Sequence, residues 1–142
     1  MKITFTVDLP VDANSVPFAR ALCREALEHL AIAKDTIDEV VLALTEACAN
    51  VVKHAGHGTD YEVRVGIDDD VCRISVFDDG EGFDLSAVAA RRPDPEADGG
   101  HGLLLMRALV DDLHFGQDSD GRHCVTLEKR LRTQPLRTAG TA

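Results

Sequence analysis

Two residues near the middle of the sequence have side chains that could take part in chemistry together. Glu46 and Asn50 are four positions apart, so in a helix they project from the same side with Cβ atoms roughly 5–6 Å apart. A carboxylate beside an amide oxygen could activate a hydroxyl group or a water molecule, and could also bind a hard cation. The alternative is a solvated helix face that carries one stray Asn, and these two residues alone do not exclude it.

A second candidate follows a strand-like segment, in residues 78–83 (DDGEGF). An Asp at a strand end with two glycines behind it lets the backbone approach a flat ligand. The carboxylate could then accept a hydrogen bond from an exocyclic amine of that ligand. An acidic turn is the simpler interpretation. A calcium loop is a third, although the spacing lacks the alternating ligands and the terminal Glu of an EF-hand.

A third candidate is the glycine-rich segment 99–106 (GGHGLLLM), which opens a predicted helix. Glycines before a helix leave backbone N–H groups free to bind an anion, and the helix dipole adds to the attraction. Phosphate is the natural ligand, and a flexible hinge is the alternative. The segment has neither the Gly-Lys-Ser/Thr ending of a Walker P-loop nor the preceding strand of a Rossmann fingerprint.

The helix that carries the first pair is predicted over residues 36–56. Thr36 and Glu39 form a capping box at its start, and Gly56 is a suitable left-handed stop. Its apolar face consists of Ile37, Val40, Val41, Leu44, Cys48, Val51 and Ala55. A narrow opposite stripe consists of Glu39, Ala43, Glu46, Asn50 and Lys53.

The remaining pattern predicts a sheet with helices on one face. Alternating segments predict strands at 3–9, 61–67, 71–77, 114–117 and 123–129, with turns at 68–70 and 118–121. A helix is predicted to run to about residue 31, with Arg20, Arg24 and Glu28 outward, and another helix from about 103 to 113. The residues predicted to face inward on the first of these helices are Phe18, Leu22, Cys23, Ala26, Leu27 and Leu30. The fold class is therefore α+β, a two-layer sandwich with a mixed, mostly antiparallel sheet.

Composition narrows the function classes. The length of 142 residues predicts one domain at 1–131, followed by a disordered tail at 132–142. The net charge of −10 argues against binding to nucleic acid or to anionic membranes and favours a basic partner. The four cysteines form no Cys-x-x-Cys pair, which indicates buried free thiols in a reducing compartment. No signal-peptide run or membrane span is evident, so we expect a cytoplasmic protein.

The three candidates occur in a specific order: Glu-x-x-x-Asn on a helix, Asp-x-Gly-x-Gly after a strand, then Gly-x-Gly-Leu at a helix start. This order resembles the GHKL ATPase superfamily of Bergerat-fold proteins, with its N box and two glycine boxes. Residues 45–55 (TEACANVVKHA) are similar to the N box of bacterial anti-sigma-factor serine/threonine kinases of the RsbW and SpoIIAB type. Residues 18–20 (FAR) also match that group, and the resemblance covers about residues 1–130.

The resemblance implies a role for each matching residue. Glu46 would be the general base, Asn50 would bind Mg²⁺, Asp78 would bind the adenine amine, and residues 84–99 would form a lid over ATP. Arg20 would lie on the partner-binding surface. The residues that would bind ATP are Asn50, Lys53, Asp78, Gly80, Gly82, Phe83, Gly100, His101, Gly102 and Leu103.

The function that the resemblance implies is that of an anti-sigma factor with kinase activity. The protein would sequester a sigma factor and release it when an anti-anti-sigma protein of the STAS type competes, and it would phosphorylate that competitor on Ser or Thr with ATP and Mg²⁺. A homodimer is left open. The alternatives are a nucleotide-dependent binding regulator without phosphoryl transfer and a detached histidine-kinase catalytic domain.

Two positions depart from the family pattern. Asp98 occupies a place where members of this group often carry an Arg that reaches the terminal phosphate, and Arg91 or Arg92 could substitute for it. The last strand begins Gly121-Arg122 rather than Gly-Thr. Both differences bear on phosphoryl transfer more than on ATP binding.

Overall fold

The computed structural model describes residues 2–54, 60–79 and 100–131 of the chain. In chain order the elements of these residues are β1 (Ile3–Pro10), α1 (Ser15–His29), α2 (Lys34–His54), β2 (Asp60–Ile67), β3 (Val71–Asp78), α3 (Gly100–Leu109), β4 (Asp112–Gln117) and β5 (His123–Arg130). The predicted lid at 84–99 and the predicted tail at 132–142 lie outside the described residues. Both, together with the domain bounds 1–131, stay predictions.

The five described strands form one sheet in the order β1-β2-β3-β5-β4. All four pairings are antiparallel, where the sequence predicted a mixed and mostly antiparallel sheet. The two tight connections are the predicted turns: Asp68 accepts N–H bonds from Asp70 and Val71 at 2.8 Å each, and Gly121 has a φ of +80°. The predicted α+β class is confirmed.

The core lies between the sheet and the helices and is almost entirely aliphatic. Side chains of β2 and β3 alternate, so Val63, Val65, Ile74 and Val76 are buried. The outer face of the sheet carries paired polar residues instead, such as Arg73 and Glu128. Because successive side chains point to opposite faces, the period-two pattern predicts the buried side of the strands; Phe77 is an exception, since it is buried on the outer face beneath Arg64 and Arg122.

Helix α2 packs with α1, with α3 and with the sheet. It begins at Lys34, two residues before the predicted start, and the first hydrogen bond runs from the N–H of Ile37 to the carbonyl of Ala33 at 3.0 Å. The predicted capping box is therefore wrong, because Thr36 already lies in the first turn and is buried. Neither α2 nor the other described helices is long and apolar enough to cross a membrane.

Helix α1 packs with most of its predicted inward face, since Cys23 and Leu27 are buried and Ala26 and Leu30 lie partly buried against the core. Its buried residues are Ser15, Ala19, Cys23 and Leu27, each four positions from the next. Phe18 lies beside this stripe and is 56% exposed, so its predicted inward orientation is wrong. Arg20 is exposed as predicted.

Both α1 and α3 end earlier than expected. Helix α1 ends at His29 rather than at about 31, and Ala31 after it has a φ of +56°. N–H bonds from Ala31 and Ile32 to the carbonyls of Glu28 and Leu27 form a Schellman-type ending without glycine. Helix α3 ends at Leu109 rather than at 113, because residues from 112 onwards pair with β5.

Candidate active site

The described structure brings Glu46 and Asn50 together with the first turn of α3. Both side chains are half-buried on α2. A Cβ atom placed on Gly102 would lie 2.8 Å from Glu46 Oε2 and 3.6 Å from Asn50 Oδ1. The two oxygens therefore converge on a space that only a glycine leaves open.

The N-terminal part of the stripe of α2 that carries these residues packs against α3. Gly102 contacts the stripe at Glu46, and the carbonyl of Leu109 at the other end of α3 shares Lys129 with Glu39. Ala43, which lies between Glu39 and Glu46, is fully buried. This part of the predicted outward stripe is a helix contact, and only its C-terminal half is left open.

The N-terminus of α3 meets the physical requirements of an anion site. The helix begins at Gly100, and the first N–H groups of any helix have no partner within it. The side chain of Leu103 is buried in the core, so this residue can offer a ligand only its backbone. His101 lies in the same first turn.

Asp78 is half-buried at the end of β3, between Tyr61 of β2 and His123 of β5. It lies on the same side of the sheet as the buried Val76, two residues earlier, and therefore on the side that the helices cover. The hydroxyl of Tyr61 contacts Cys48, which lies between Glu46 and Asn50 on α2. Asp78 therefore lies at the same end of the molecule as the pair on α2.

Some predicted site residues are not part of this group in the described structure. Gly80, Gly82 and Phe83 lie outside the described residues. Lys53 is exposed in the last turn of α2. Arg20 lies on α1, a helix separate from α3.

The cysteines do not take part in this chemistry. Burial raises the pKa of Cys23 and of Cys48 to about 12 and also raises the pKa of Cys72. Buried thiols of this kind are protonated near neutral pH and are poor nucleophiles. The prediction of buried free thiols is confirmed for these three, and Cys124 is free and half-buried.

Two side-chain contacts near the candidate site could not be predicted from the sequence. One is Lys129, which bonds to both Glu39 and Leu109, and the other is the buried bond of 2.7 Å between Ser15 Oγ and the Tyr61 hydroxyl. The residues of each contact are far apart in the chain, so neither helical nor strand periodicity could reveal them. An alignment with pairwise covariation is the kind of signal that could have found them.

Comparison with known families identifies the family of this fold. The family model of the histidine kinase-like ATPase domain matches residues 9–129. The chain belongs to this family. The matched range includes α2, β3 and α3, the elements that carry all three predicted boxes.

Curated relatives indicate which group of histidine kinase-like ATPases this chain resembles. The chain is 34% identical over 97 residues to the serine-protein kinase RsbW of Bacillus licheniformis, an alignment that covers 60% of each chain and thus less than two thirds of that relative. It is 30% identical over 132 residues to RsbW of Bacillus pumilus, covering 80% of this chain and 82% of the relative. The resemblance to this family of serine/threonine protein kinases is thereby confirmed.

Solved structures agree in fold. The RsbU and RsbW domains of Rv1364c from Mycobacterium tuberculosis match with a TM-score of 0.68 and 25% identity, over 91% of this chain and 32% of that one. The SiaB–SiaC complex from Pseudomonas aeruginosa matches with a TM-score of 0.62 and 14% identity, over 89% of each chain. The second likeness speaks for the fold alone.

Proposed function

We propose that this histidine kinase-like ATPase is a partner-switching kinase and anti-sigma factor. It holds a sigma factor inactive and uses ATP and Mg²⁺ to phosphorylate an anti-anti-sigma protein of the STAS type on Ser or Thr. The observation that carries the proposal is the convergence of Glu46 and Asn50 on Gly102 in the first turn of α3. The relationship to the RsbW kinases supports it.

In this proposal Glu46 is the general base. Its carboxylate is half-buried on a rigid helix, and its Oε2 atom lies on the side of α2 that faces the N-terminus of α3. A hydroxyl group of the substrate protein placed against Oε2 gives up its proton to the carboxylate as its oxygen attacks the terminal phosphorus, while the bond from that phosphorus to the bridging oxygen breaks and ADP leaves. Phosphoryl transfer depends on such positioning together with neutralisation of charge.

The residues present fit a magnesium ion. Asn50 Oδ1 is an amide oxygen directed at the same space as Glu46 Oε2, and oxygen atoms are the ligands that Mg²⁺ prefers. The described residues contain no group of three His, Cys, Asp or Glu that could hold a metal alone. Asn50 would therefore hold the ion together with phosphate oxygens and water, and the bound ion would supply neutralisation of phosphate charge.

Two further elements bind the nucleotide in the proposal. The carboxylate of Asp78 accepts a hydrogen bond from the exocyclic amine of adenine, and its half-buried position limits competition from water. The first turn of α3, with Gly100, His101, Gly102 and Leu103, faces the phosphates, and the N–H groups at its start have no partner within the helix. Base and phosphates are thus held by different elements.

The partner surface is assigned to α1. Phe18 is 56% exposed beside the exposed Arg20, an arrangement typical of a protein-binding face because the large apolar ring is left in water. Arg20→Glu should abolish capture of both partners in pull-down assays and leave ATP affinity unchanged. Arg130→Glu, at an exposed position on β5, is the matched control. Unchanged capture by Arg20→Glu would remove Arg20 from the proposal.

The decisive experiment uses ATP labelled at the terminal phosphate. The protein is incubated with Mg²⁺, labelled ATP and anti-anti-sigma proteins from the same genome, and the phosphorylated amino acids are identified. Phosphoserine or phosphothreonine on one of them is the expected result. Partner capture without phosphoryl transfer would favour the binding regulator. Asp98 is an argument for that alternative, because it stands where related kinases often carry an Arg that reaches the terminal phosphate. Phosphohistidine would indicate the histidine-kinase alternative.

A further inference from the structure

Lys129 joins three elements at the end of α3 opposite to the candidate active site. It lies on β5, and its Nζ atom donates hydrogen bonds to Glu39 Oε2 of α2 at 2.5 Å and to the carbonyl of Leu109 at 2.7 Å. The side chain of Lys129 is only 17% exposed. A charge-assisted contact shielded in this way is less weakened by solvent than a surface ion pair.

The two contacts between α2 and α3 have the same spacing on both helices. Gly102 meets Glu46 at one end of α3, and Leu109 meets Glu39 through Lys129 at the other. Each pair of positions is separated by seven residues, or about 10 Å of helix at 1.5 Å per residue. The helices therefore run side by side in opposite directions and are fixed at two points.

Lys129 also suits the end of α3 that it binds. The last carbonyl groups of a helix have no partner within it, and this end of the helix dipole attracts a cation. Leu109 is the final residue of α3, and only Val110 and Asp111 separate it from β4. The lysine thus holds a short helix of 10 residues at the end opposite to the predicted phosphate site.

We propose that Lys129 is a positioning residue that sets the tilt of α3 and so directs its N-terminal N–H groups at the phosphates of the nucleotide. The inference rests on the proposed function, because it assumes that ATP binds between Asp78 and α3. Loss of the clamp formed by Lys129, Glu39 and the Leu109 carbonyl lets α3 rotate about its contact at Gly102. The adenine site on β3 is not part of the clamp.

The test compares two ligands of one variant. In Lys129→Met, the affinity for Mg-ATP should fall at least about fivefold, the lower end of typical coupling between linked sites, while the affinity for adenosine, which has no phosphates, stays unchanged. Calorimetry measures both. Arg73→Met is the matched control, since it removes a 2.5 Å ion pair with Glu128 on the outer face of the sheet. It should change neither affinity.

A merely structural role predicts something else. General destabilisation would lower the affinities for ATP and adenosine together, so an unchanged ratio between them would overturn the inference. Lys129→Arg, which keeps the charge and the donors, should restore the ratio. If Lys129→Met does not fold, Glu39→Gln is judged by the same ratio. Failure of wild-type protein to bind ATP at all would contradict the proposed function rather than the clamp alone.

Discussion

Both sides of α2 carry polar groups, but those on one side are buried and those on the other are partly exposed. Toward α1 and the sheet, Cys48 contacts the hydroxyl of Tyr61, which bonds to Ser15 at 2.7 Å, and all three residues are buried. Toward α3, Glu46 and Asn50 are half-exposed and converge on a space without a side chain. The first group is enclosed in protein, and the second is open to a ligand.

This difference suggests that the α1 side of α2 contributes to the stability of the fold and the α3 side to the chemistry. Buried polar groups are costly unless they are paired, so the chain from Cys48 to Ser15 contributes to a single core arrangement. Oxygens left partly exposed on a rigid helix contribute little to folding and can exchange water for a substrate. We therefore expect changes on the α3 side to affect transfer, and changes on the α1 side to affect the free energy of unfolding.

The largest effect is expected for Glu46→Gln. The change keeps size and helix propensity but removes the base, so transfer to the partner should fall roughly 10²–10⁴-fold under saturating Mg-ATP, the usual value of general base catalysis. Nucleotide affinity and thermal stability should be retained. Asp38→Asn, which weakens an exposed ion pair of α2 with Arg24, is the control and should leave transfer unchanged. Equal rates for Glu46→Gln and wild type would exclude Glu46 as base.

Gly102→Ala should come next. Its Cβ would lie 2.8 Å from Glu46 Oε2, the end of a flexible side chain that can move away at little cost to the fold. Displacing the base by about 1 Å can lower a rate on the order of 10²-fold, so single-turnover transfer should drop while the melting temperature hardly changes. Gly116→Ala, where nothing lies within 4 Å of the added atom, is the matched control. A large loss of stability in Gly102→Ala would contradict the comparison.

Much of the α3 side could be predicted from the sequence, because each of its parts is local. Glu46 and Asn50 share a helical spacing, Asp78 ends an alternating strand, and glycines precede a helix. Their order along the chain then matched one superfamily. Local patterns do not contain distances between elements, so the contact of Gly102 with Glu46 had to come from the structure.

The wrong predictions have a common physical cause, which is packing between elements that local patterns do not reveal. Phe18 was predicted to face inward with Cys23 and Leu27 from the helical pattern, but the buried stripe of α1 passes through Ala19 and leaves Phe18 exposed. Ala43 was placed on the outer stripe because the sequence could not show that α3 covers it. The helix starts and ends shifted because tertiary contacts can override capping signals. The strands were predicted best, since burial on one face imposes strict alternation.

Tyr61→Phe tests the α1 side. The Ser15 hydroxyl donates to the carbonyl of Asp12 at 2.7 Å, so at neutral pH its bond with Tyr61 takes the tyrosine as donor. Removing that donor should lower the free energy of unfolding by about 1–3 kcal/mol, the typical cost of an unpaired buried group. Urea denaturation measures the loss. Transfer by the folded protein should stay within twofold of wild type.

The double variant Ser15→Ala with Tyr61→Phe sharpens this test. Removing both partners of a buried bond costs less than the sum of the two single changes, because no unpaired group is left between them. We expect a smaller loss than additivity gives. Strict additivity would mean that the two hydroxyls do not act as a pair, despite their separation of 2.7 Å.

The smallest effect is an alkaline weakening of the fold that arises from the thiols. Burial raises the pKa of Cys23 and Cys48 from 9.0 to about 12. Above pH 9 the unfolded chain releases these protons and the folded chain keeps them, so the unfolded state binds fewer protons and stability falls as pH rises. Between pH 8 and 9.5 each thiol should lower the free energy of unfolding by about 1 kcal/mol. Below pH 8 its contribution should be constant.

Cys48→Ala separates this effect from other alkaline transitions. The variant is less stable at every pH because it leaves a cavity, but its stability should decline less steeply above pH 9 than that of wild type, since one titrating thiol is gone. Cys124→Ala is the control, because Cys124 is half-buried rather than buried. Denaturation curves at about pH 8.0, 9.0 and 9.5, on both sides of the reference pKa of a thiol, would measure the slopes. Equal slopes in wild type and Cys48→Ala would show that Cys48 ionises as readily in the folded state as in the unfolded chain. The α1 side of α2 would then be open to solvent like the α3 side, and the contrast between them would be lost.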